Sequence, residues 1–323
     1  MPDSSTLNRP VKVSLPPGVR CAIALSYDTD TAGGYAPDGI CHGRTPPFLH
    51  EYMLRMCDAA ETHDTRLHFF QIGDGLEEPR VVEYVREILG RGHIVDSHTY
   101  SHIALTTTDV EALNHELAVT NRLFKERLGW RSTILRGPGG YPQGLDGLPE
   151  NQEVILDNGF RWVSGRYNHA LYSQGLQFGL EAAAREPIYS YPSGLIEMTV
   201  QGYTDRAWFD TMKCIDAEAY QAWRVIEGHQ PVPDGWQCPW TAPEALDEWI
   251  AHNLAAADFA YDNRLLWVPV WHPYTHYLHD PDNRMLPALL EHCAAKPEPV
   301  LVCTLRDAVD WLEPIDWPSP SPA

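Results

Sequence analysis

The chain has 323 residues, 44% of them hydrophobic, enough for one large domain, and no apolar run is long enough for a membrane span. A formal charge of −20, from 24 Lys and Arg against 44 Asp and Glu, disfavours nucleic acid and anionic membrane surfaces as partners and is accounted for by solubility. Seven scattered cysteines form no C-x-x-C, and the polar, proline-bearing N-terminus has no apolar h-region, so the expectation is a reduced, cytoplasmic chain without a secretory signal.

Residues 1–19 read as an N-terminal extension, 20–313 as one domain, and 314–323, ending in PSPSPA, as a disordered tail. The spans 21–27, 66–72, 93–97, 133–136 and 160–164 read as strands. Helices alternate with them: 48–63, then 79–91 opened by Pro79, then a helix to about Leu128 started by a Thr108-x-x-Glu111 capping box, then 149–158 closed by Gly159. From about Gly165 to Pro239 the pattern is irregular. It reads as long loops and short elements carrying Trp208, Trp223 and Trp236, which would shape a pocket. A second box, Thr241-x-x-Glu244, opens a helix to about Tyr261. Strand 265–271, helix 287–295, strand 300–303 and a last helix boxed by Thr304-x-x-Asp307 complete the domain. Strands that alternate with helices pair in parallel through right-handed crossovers. The polar candidates described next lie at the C-terminal ends of several different strands, which favours an α/β fold of irregular (β/α) barrel type with about seven parallel strands over an open doubly wound sheet.

Asp28-Thr29-Asp30 ends the first strand, and His98 and His102 follow the third at i, i+4 spacing. Together they offer a carboxylate and two imidazoles to a divalent metal, with a second carboxylate left over as a base for water. That set names metal-assisted hydrolysis as the reaction class. Each motif alone says less. A D-x-D is often a loop or cap and also occurs in nucleotide-sugar glycosyltransferases. With 15 histidines chance pairs arise, and His272 with His276 is one. The first pair is preferred because Asp96, Ser97 and Ser101 surround it with polar turn formers, whereas Pro273 disfavours a regular helical turn starting at His272. His115-Glu116 lacks the second histidine of H-E-x-x-H and reads as the surface of an amphipathic helix. Arg136-Gly137-Pro138-Gly139-Gly140-Tyr141 is a turn with neither a Walker lysine nor a G-x-G-x-x-G, and His272-Pro273 ends the strand 265–271.

In this order, D-x-D, H-x-x-x-H, R-x-P-x-G and H-P, each after a strand, the motifs resemble those of the polysaccharide deacetylase family, the NodB-homology deacetylases. Residues 92–102, GHIVDSHTYSH, resemble that family's second motif throughout. The D-x-D followed by Thr31-Ala32-Gly33-Gly34 is closer to the branch with peptidoglycan deacetylase-like proteins, cyclic imide hydrolases and allantoinase-like proteins. The resemblance spans roughly residues 20–310. It implies that Asp30, His98 and His102 bind the metal, that Asp28 is the base, and that Arg136 orients Asp28. It further implies that the Gly139 N–H helps to hold the oxyanion and that His272 is the general acid. Two departures stand out. The aromatic residue of the third motif is displaced to Tyr141, and the acidic fourth motif has no counterpart, since Phe160-Arg161-Trp162-Val163-Ser164 carries no Asp.

The expectation is therefore a cytoplasmic, metal-dependent hydrolase of non-peptide C–N bonds. One divalent ion is expected, zinc first, with nickel or cobalt also suited to the donor set. The substrate is a small amide, a cyclic imide or an N-acylated compound. An N-deacetylase of acetylated amino sugars, a metal-dependent glycosyltransferase and a non-catalytic binding member remain as alternatives, and homo-oligomerisation stays open.

Overall fold

A computed structural model of the chain describes residues 8–30, 42–168, 181, 188–227 and 231–313. The glycine pair after Asp30 and the 314–323 tail lie outside the described residues. Twelve strands are described in chain order: β1 (Arg9–Pro10), β2 (Cys21–Ala24), β3 (Ser26–Asp28), β4 (His68–Gln71), β5 (Ile94–Ser97), β6 (Ile134–Tyr141), β7 (Trp162–Arg166), β8 (Ile188–Ser190), β9 (Ile196–Met198), β10 (Leu266–Trp267), β11 (Val270–Trp271) and β12 (Val300–Cys303). Nine helices of α type accompany them: α1 (Pro47–Glu61), α2 (Pro79–Gly90), α3 (Val110–Leu123), α4 (Pro149–Asp157), α5 (Ala217–Glu227), α6 (Ala245–Asn263), α7 (Pro273–His279), α8 (Met285–Ala294) and α9 (Leu305–Val309).

The main sheet runs β1-β8-β9-β7-β6-β5-β4-β3-β11, and β2 lies between β10 and β12. All pairings are parallel except β1 with β8 and β8 with β9. Every residue of β2, β3, β4 and β5 is buried, as befits parallel strands covered on both faces. The sheet curls until the end of β9 meets the segment between β10 and β11. Just beyond β9, Gln201 donates its backbone N–H to Val268 O at 2.8 Å, and its side-chain Oε1 accepts from Val268 N at 3.2 Å. This contact, between β10 and β11, gives the expected irregular barrel.

Helix α1 buries Leu49, Tyr52, Met53, Met56, Cys57 and Ala60, a stripe at helical spacing that packs in one core with α2, α6 and α8. A second cluster joins Leu113 and Leu117 of α3 to Leu135, Ile155 and Val163. No described helix is long and apolar enough to cross a membrane.

Several expectations need correction. The stretch read as irregular contains β8, β9 and α5, and β9 is an integral barrel strand. These strands have three residues each, too short to leave a period in the sequence. Helix α3 is capped by Asp109, which accepts from Ala112 N at 2.9 Å, and not by Thr108. Thr241 caps nothing: it bridges to Cys214, and α6 starts after Glu244 without a side-chain cap. The Thr304 box is present as expected, with Thr304 and Asp307 bonding reciprocally. Pro273 does not prevent a helix after His272. It opens α7 at the first turn, where its missing N–H costs nothing, and His272 is the N-cap.

Asp96 on β5 ties that strand to β4 and α9. Its fully buried carboxylate accepts from Arg306 of α9 at 2.6 and 2.9 Å, from Thr133 N at 2.9 Å, and lies 3.1 Å from His68 Nε2 on β4. Burial opposes its ionisation, but Arg306 and His68 outweigh that and hold its pKa below the ordinary value. Replacing Asp96 with Ala should cost roughly 3 kcal/mol, because it strands the buried His68 and the half-buried Arg306. A depressed folded pKa stabilises above the unfolded value and loses effect as the pH falls through the folded one. The gap in thermal stability between wild type and Asp96→Ala should therefore narrow below about pH 4. A gap constant with pH would contradict this account.

Candidate active site

The strand ends converge on one cleft of about 830 Å³ lined by Asp28, Asp30, His98, His102, Arg136 and His272, among others. Asp28 ends β3, and Asp30 follows it past Thr29, whose N–H and hydroxyl both bond to Phe70 O at 3.0 Å. This anchoring on β4 fixes how both carboxylates leave the strand.

His98 and His102 leave β5 on a loop, not on a helical turn. Thr99 (φ 62°) and His102 (φ 65°) adopt the left-handed region, which is unusual for a β-branched residue and a sign of a conformation held by its surroundings. Helix α3 supplies that hold. Glu116 accepts from Tyr100 N at 3.0 Å, from Ser101 N at 2.7 Å and from the Ser101 hydroxyl at 2.7 Å. Glu116, expected to be a surface residue, is thus a positioning residue for the histidine loop. The sequence signal for it was only its place one helix away from the motif.

Asp30, His98 and His102 each offer one ligand atom, and these atoms lie within 4.8 Å of one another. His98 Nδ1 lies 3.1 Å from Arg136 O. A carbonyl only accepts, so Nδ1 carries the proton and Nε2 keeps its lone pair for the site. Burial pushes both imidazoles down to about 4, so they are neutral near pH 7, as ligands must be. Burial also works against the Asp30 charge, yet His272, His102 and Arg206 together hold this carboxyl well below the usual range. Asp30 Oδ1 is buried without a hydrogen-bond partner. One anionic oxygen, two neutral imidazoles and a buried, unsatisfied acceptor fit a divalent cation such as zinc, nickel or cobalt.

Asp28 adjoins this triad. Its Oδ1 lies 3.3 Å from Arg136 Nε, and its Oδ2 lies 3.8 Å from His98 Nε2. Burial raises its pKa, while Arg136 and His272 oppose the rise. Arg136 is 1% exposed, donates to the Ser26 hydroxyl at 2.5 Å and covers the Phe70 ring at 4.5 Å. After Arg136, β6 bulges. The stretch from Arg136 to Tyr141 faces only Ser164 to Arg166 of β7, so Gly139 and Gly140 stand off the ladder at the cleft wall. Gly139 has φ 86° and Gly140 φ 65°, and a Cβ on Gly140 would meet Tyr167 Cβ at 2.9 Å. Tyr141, expected beside Gly139 at the substrate, is not among the residues that line the cleft. Its hydroxyl accepts from Leu105 N at 2.8 Å and pins the end of the histidine loop.

His272 follows β11, with Nε2 3.8 Å from Asp30 Oδ1. An acid that the sequence did not single out, Asp205, partners it. Fully buried, it lies 2.7 Å from His272 Nδ1 and accepts His272 N at 2.6 Å. Burial works against protonation of His272, but Asp205 and Asp30 prevail and raise it to about 9. Asp205 sits inside the stretch read as irregular, with no motif around it. A second buried acid, Glu197 of β9, accepts from Gly165 N at 2.7 Å and Arg166 N at 2.9 Å and, with Asp28, favours the Arg136 charge against burial.

The model of the polysaccharide deacetylase family matches residues 23–145. Among curated proteins, the chain is 24% identical over 115 residues to the peptidoglycan-N-acetylglucosamine deacetylase of Bacillus cereus, a match that covers 35% of this chain and 36% of that protein's length. Among solved structures, a Mycobacterium smegmatis protein assigned as a polysaccharide deacetylase superposes with a TM-score of 0.60 at 19% identity, over 97% of this chain and 98% of that one. Puue allantoinase superposes with a TM-score of 0.56 at 13% identity, over 92% of this chain and 91% of that one. The family model, the superpositions and the strand-end site agree that the chain has a NodB-homology deacetylase-like fold.

Proposed function

We propose that this chain is a metal-dependent hydrolase of non-peptide C–N bonds, acting on a small amide, a cyclic imide or an N-acylated substrate. The observation that carries this reading is the convergence, in one cleft, of the Asp30–His98–His102 triad with Asp28 and His272. A divalent ion held by the triad would supply Lewis acidity, lowering the pKa of water and polarising the substrate carbonyl.

The chain's own residues supply the rest. Asp28 takes a proton from the attacking water, and Arg136 holds its carboxylate in place. The Gly139 N–H at the bulge helps to hold the oxygen on which negative charge develops. His272, protonated near neutral pH, donates from Nε2 to the leaving nitrogen while Asp205 holds Nδ1.

The His272–Asp205 pair also favours a second reading. An imide nitrogen leaves as a stabilised anion, whereas an amine must be protonated. With Asp205 in place, N-deacetylation of an acetylated amino sugar is chemically within reach of the same cleft. A glycosyltransferase using Asp28-Thr29-Asp30 would have no need of His98 or His102.

His98→Ala should lower bound metal, read by elemental analysis, together with turnover. Full metal occupancy in that variant would refute the ligand assignment. Asp28→Asn should keep the metal and lose about 10²- to 10⁴-fold in kcat. If it loses metal as readily as Asp30→Asn does, Asp28 is a ligand and the base lies elsewhere. Asp205→Asn should cost more on an N-acetyl amine than on a cyclic imide, and equal losses would show that His272 is not the acid for the leaving group.

A further inference from the structure

Glu197 of β9 is fully buried and does not line the cleft, yet its hydrogen bonds converge on the bulge that carries Gly139. One oxygen, Oε1, accepts from two successive N–H groups of β7, Gly165 at 2.7 Å and Arg166 at 2.9 Å. In a flat strand successive N–H groups point to opposite sides, so one oxygen that takes both holds β7 bent at this point. Gly165 is the residue that the bulge faces. Arg136 pairs with Ser164 and Tyr141 with Arg166, which leaves Gly137 to Gly140 opposite Gly165 alone. The two backbones touch there, since a Cβ on Gly137 would meet Gly165 Cα at 3.0 Å. The strand end that Glu197 fixes is therefore the surface on which the bulge rests.

The second oxygen reaches the chain beyond the bulge. Tyr191 donates its hydroxyl to Glu197 Oε2 at 2.8 Å and accepts from Leu145 N at 2.8 Å and from the Tyr189 hydroxyl at 3.1 Å, which uses its full hydrogen-bonding capacity. Leu145 follows the turn in which Gly144 N bonds to Tyr141 O at 3.0 Å, and the same carbonyl accepts from Tyr167 N at 3.0 Å. One buried carboxylate thus holds both the strand opposite the bulge and the turn that follows it. We propose that Glu197 is a positioning residue that sets the direction of the Gly139 N–H, and with it the grip of the cleft on the oxygen where negative charge develops. The proposal rests on the hydrolase reading of the same cleft. Glu197 also favours the Arg136 charge against burial, and a glutamine, which keeps an acceptor but not the charge, separates the two effects.

Two readouts on metal-loaded protein test it. One is amide hydrogen exchange over residues 137–141. The other is calorimetric affinity for methylphosphonate, a tetrahedral oxyanion, against planar acetate. Neither depends on turnover, and a dissociation constant does not change with the fraction of folded protein. Glu197→Ala should speed exchange across the bulge, with β4 and β5 unaffected, and weaken methylphosphonate binding about tenfold, with acetate affinity and metal content unchanged. Glu197→Gln should stay within about threefold of wild type on both readouts. Tyr191→Phe removes the hydroxyl between Glu197 and Leu145 and leaves the bonds to β7. It should give an intermediate loss, and it decides the matter if Glu197→Ala does not fold. If Glu197→Gln loses as much as Glu197→Ala, charge beside Arg136 is the cause and the inference is overturned. Equal weakening of both probes, or exchange and affinity unchanged in Glu197→Ala and Tyr191→Phe, would also overturn it. Failure of the wild type to hydrolyse any amide or imide would remove the hydrolase reading, while exchange and methylphosphonate affinity would still report what holds the bulge. Lack of metal uptake by the wild-type protein would overturn both.

Discussion

Asp28 and Asp30 carry two carboxylates to the end of one strand, 7% and 4% exposed, and the arrangement of the cleft follows from that buried charge. Two anions so close and so dry are unstable without cations near them. Arg136 stands against Asp28, and Arg206 and His272 stand near Asp30. His98 and His102, made neutral by burial, add no charge but offer lone pairs. The two acids are thereby given different surroundings. Asp28 faces a buried guanidinium, which suits proton transfer, and Asp30 faces two imidazoles, which suits a metal.

The barrel makes this division possible. Parallel strands deliver their C-terminal ends to one rim, so residues far apart in sequence meet there. Between strands, the backbone is held in conformations that chains seldom adopt. Thr99 and His102 stay left-handed because Glu116 occupies the N–H groups between them, and Tyr141 fixes the loop's far end. The bulge after Arg136 frees Gly139 and Gly140 from the ladder to line the cleft. His272 gains its orientation from the opposite wall, where Asp205 meets both its backbone and its ring. Rigid strands and strained loops together hold the site.

Much of this was legible in the sequence, and what was not has physical reasons. Asp28-Thr29-Asp30 and His98 to His102 could be paired because both follow strong apolar strands, and donor types alone suggested a metal. The barrel followed from the alternation of elements and from candidates at several strand ends. Glu197 was missed because it lies on a strand of three residues, where no period forms, and Asp205 because it lies beyond that strand in a stretch without a motif, with His272 distant in sequence. Glu116 was missed because an acid on an amphipathic helix looks solvated until the loop that it caps is seen. That the Tyr141 hydroxyl holds Leu105 N could not be read from sequence, because the two lie on separate loops. Pro273 was read as an obstacle when it starts a helix, since the same residue does either according to where the helix begins.

The central claim is that Asp30, His98 and His102 hold one divalent ion beside a base that is not a ligand. The most direct measurement is anomalous X-ray diffraction from crystals of the metal-loaded protein. The account predicts a single strong peak bounded by Asp30, His98 Nε2 and the His102 ring, with Asp28 outside its coordination sphere. A peak elsewhere, or one coordinated by Asp28 in place of either histidine, would contradict it.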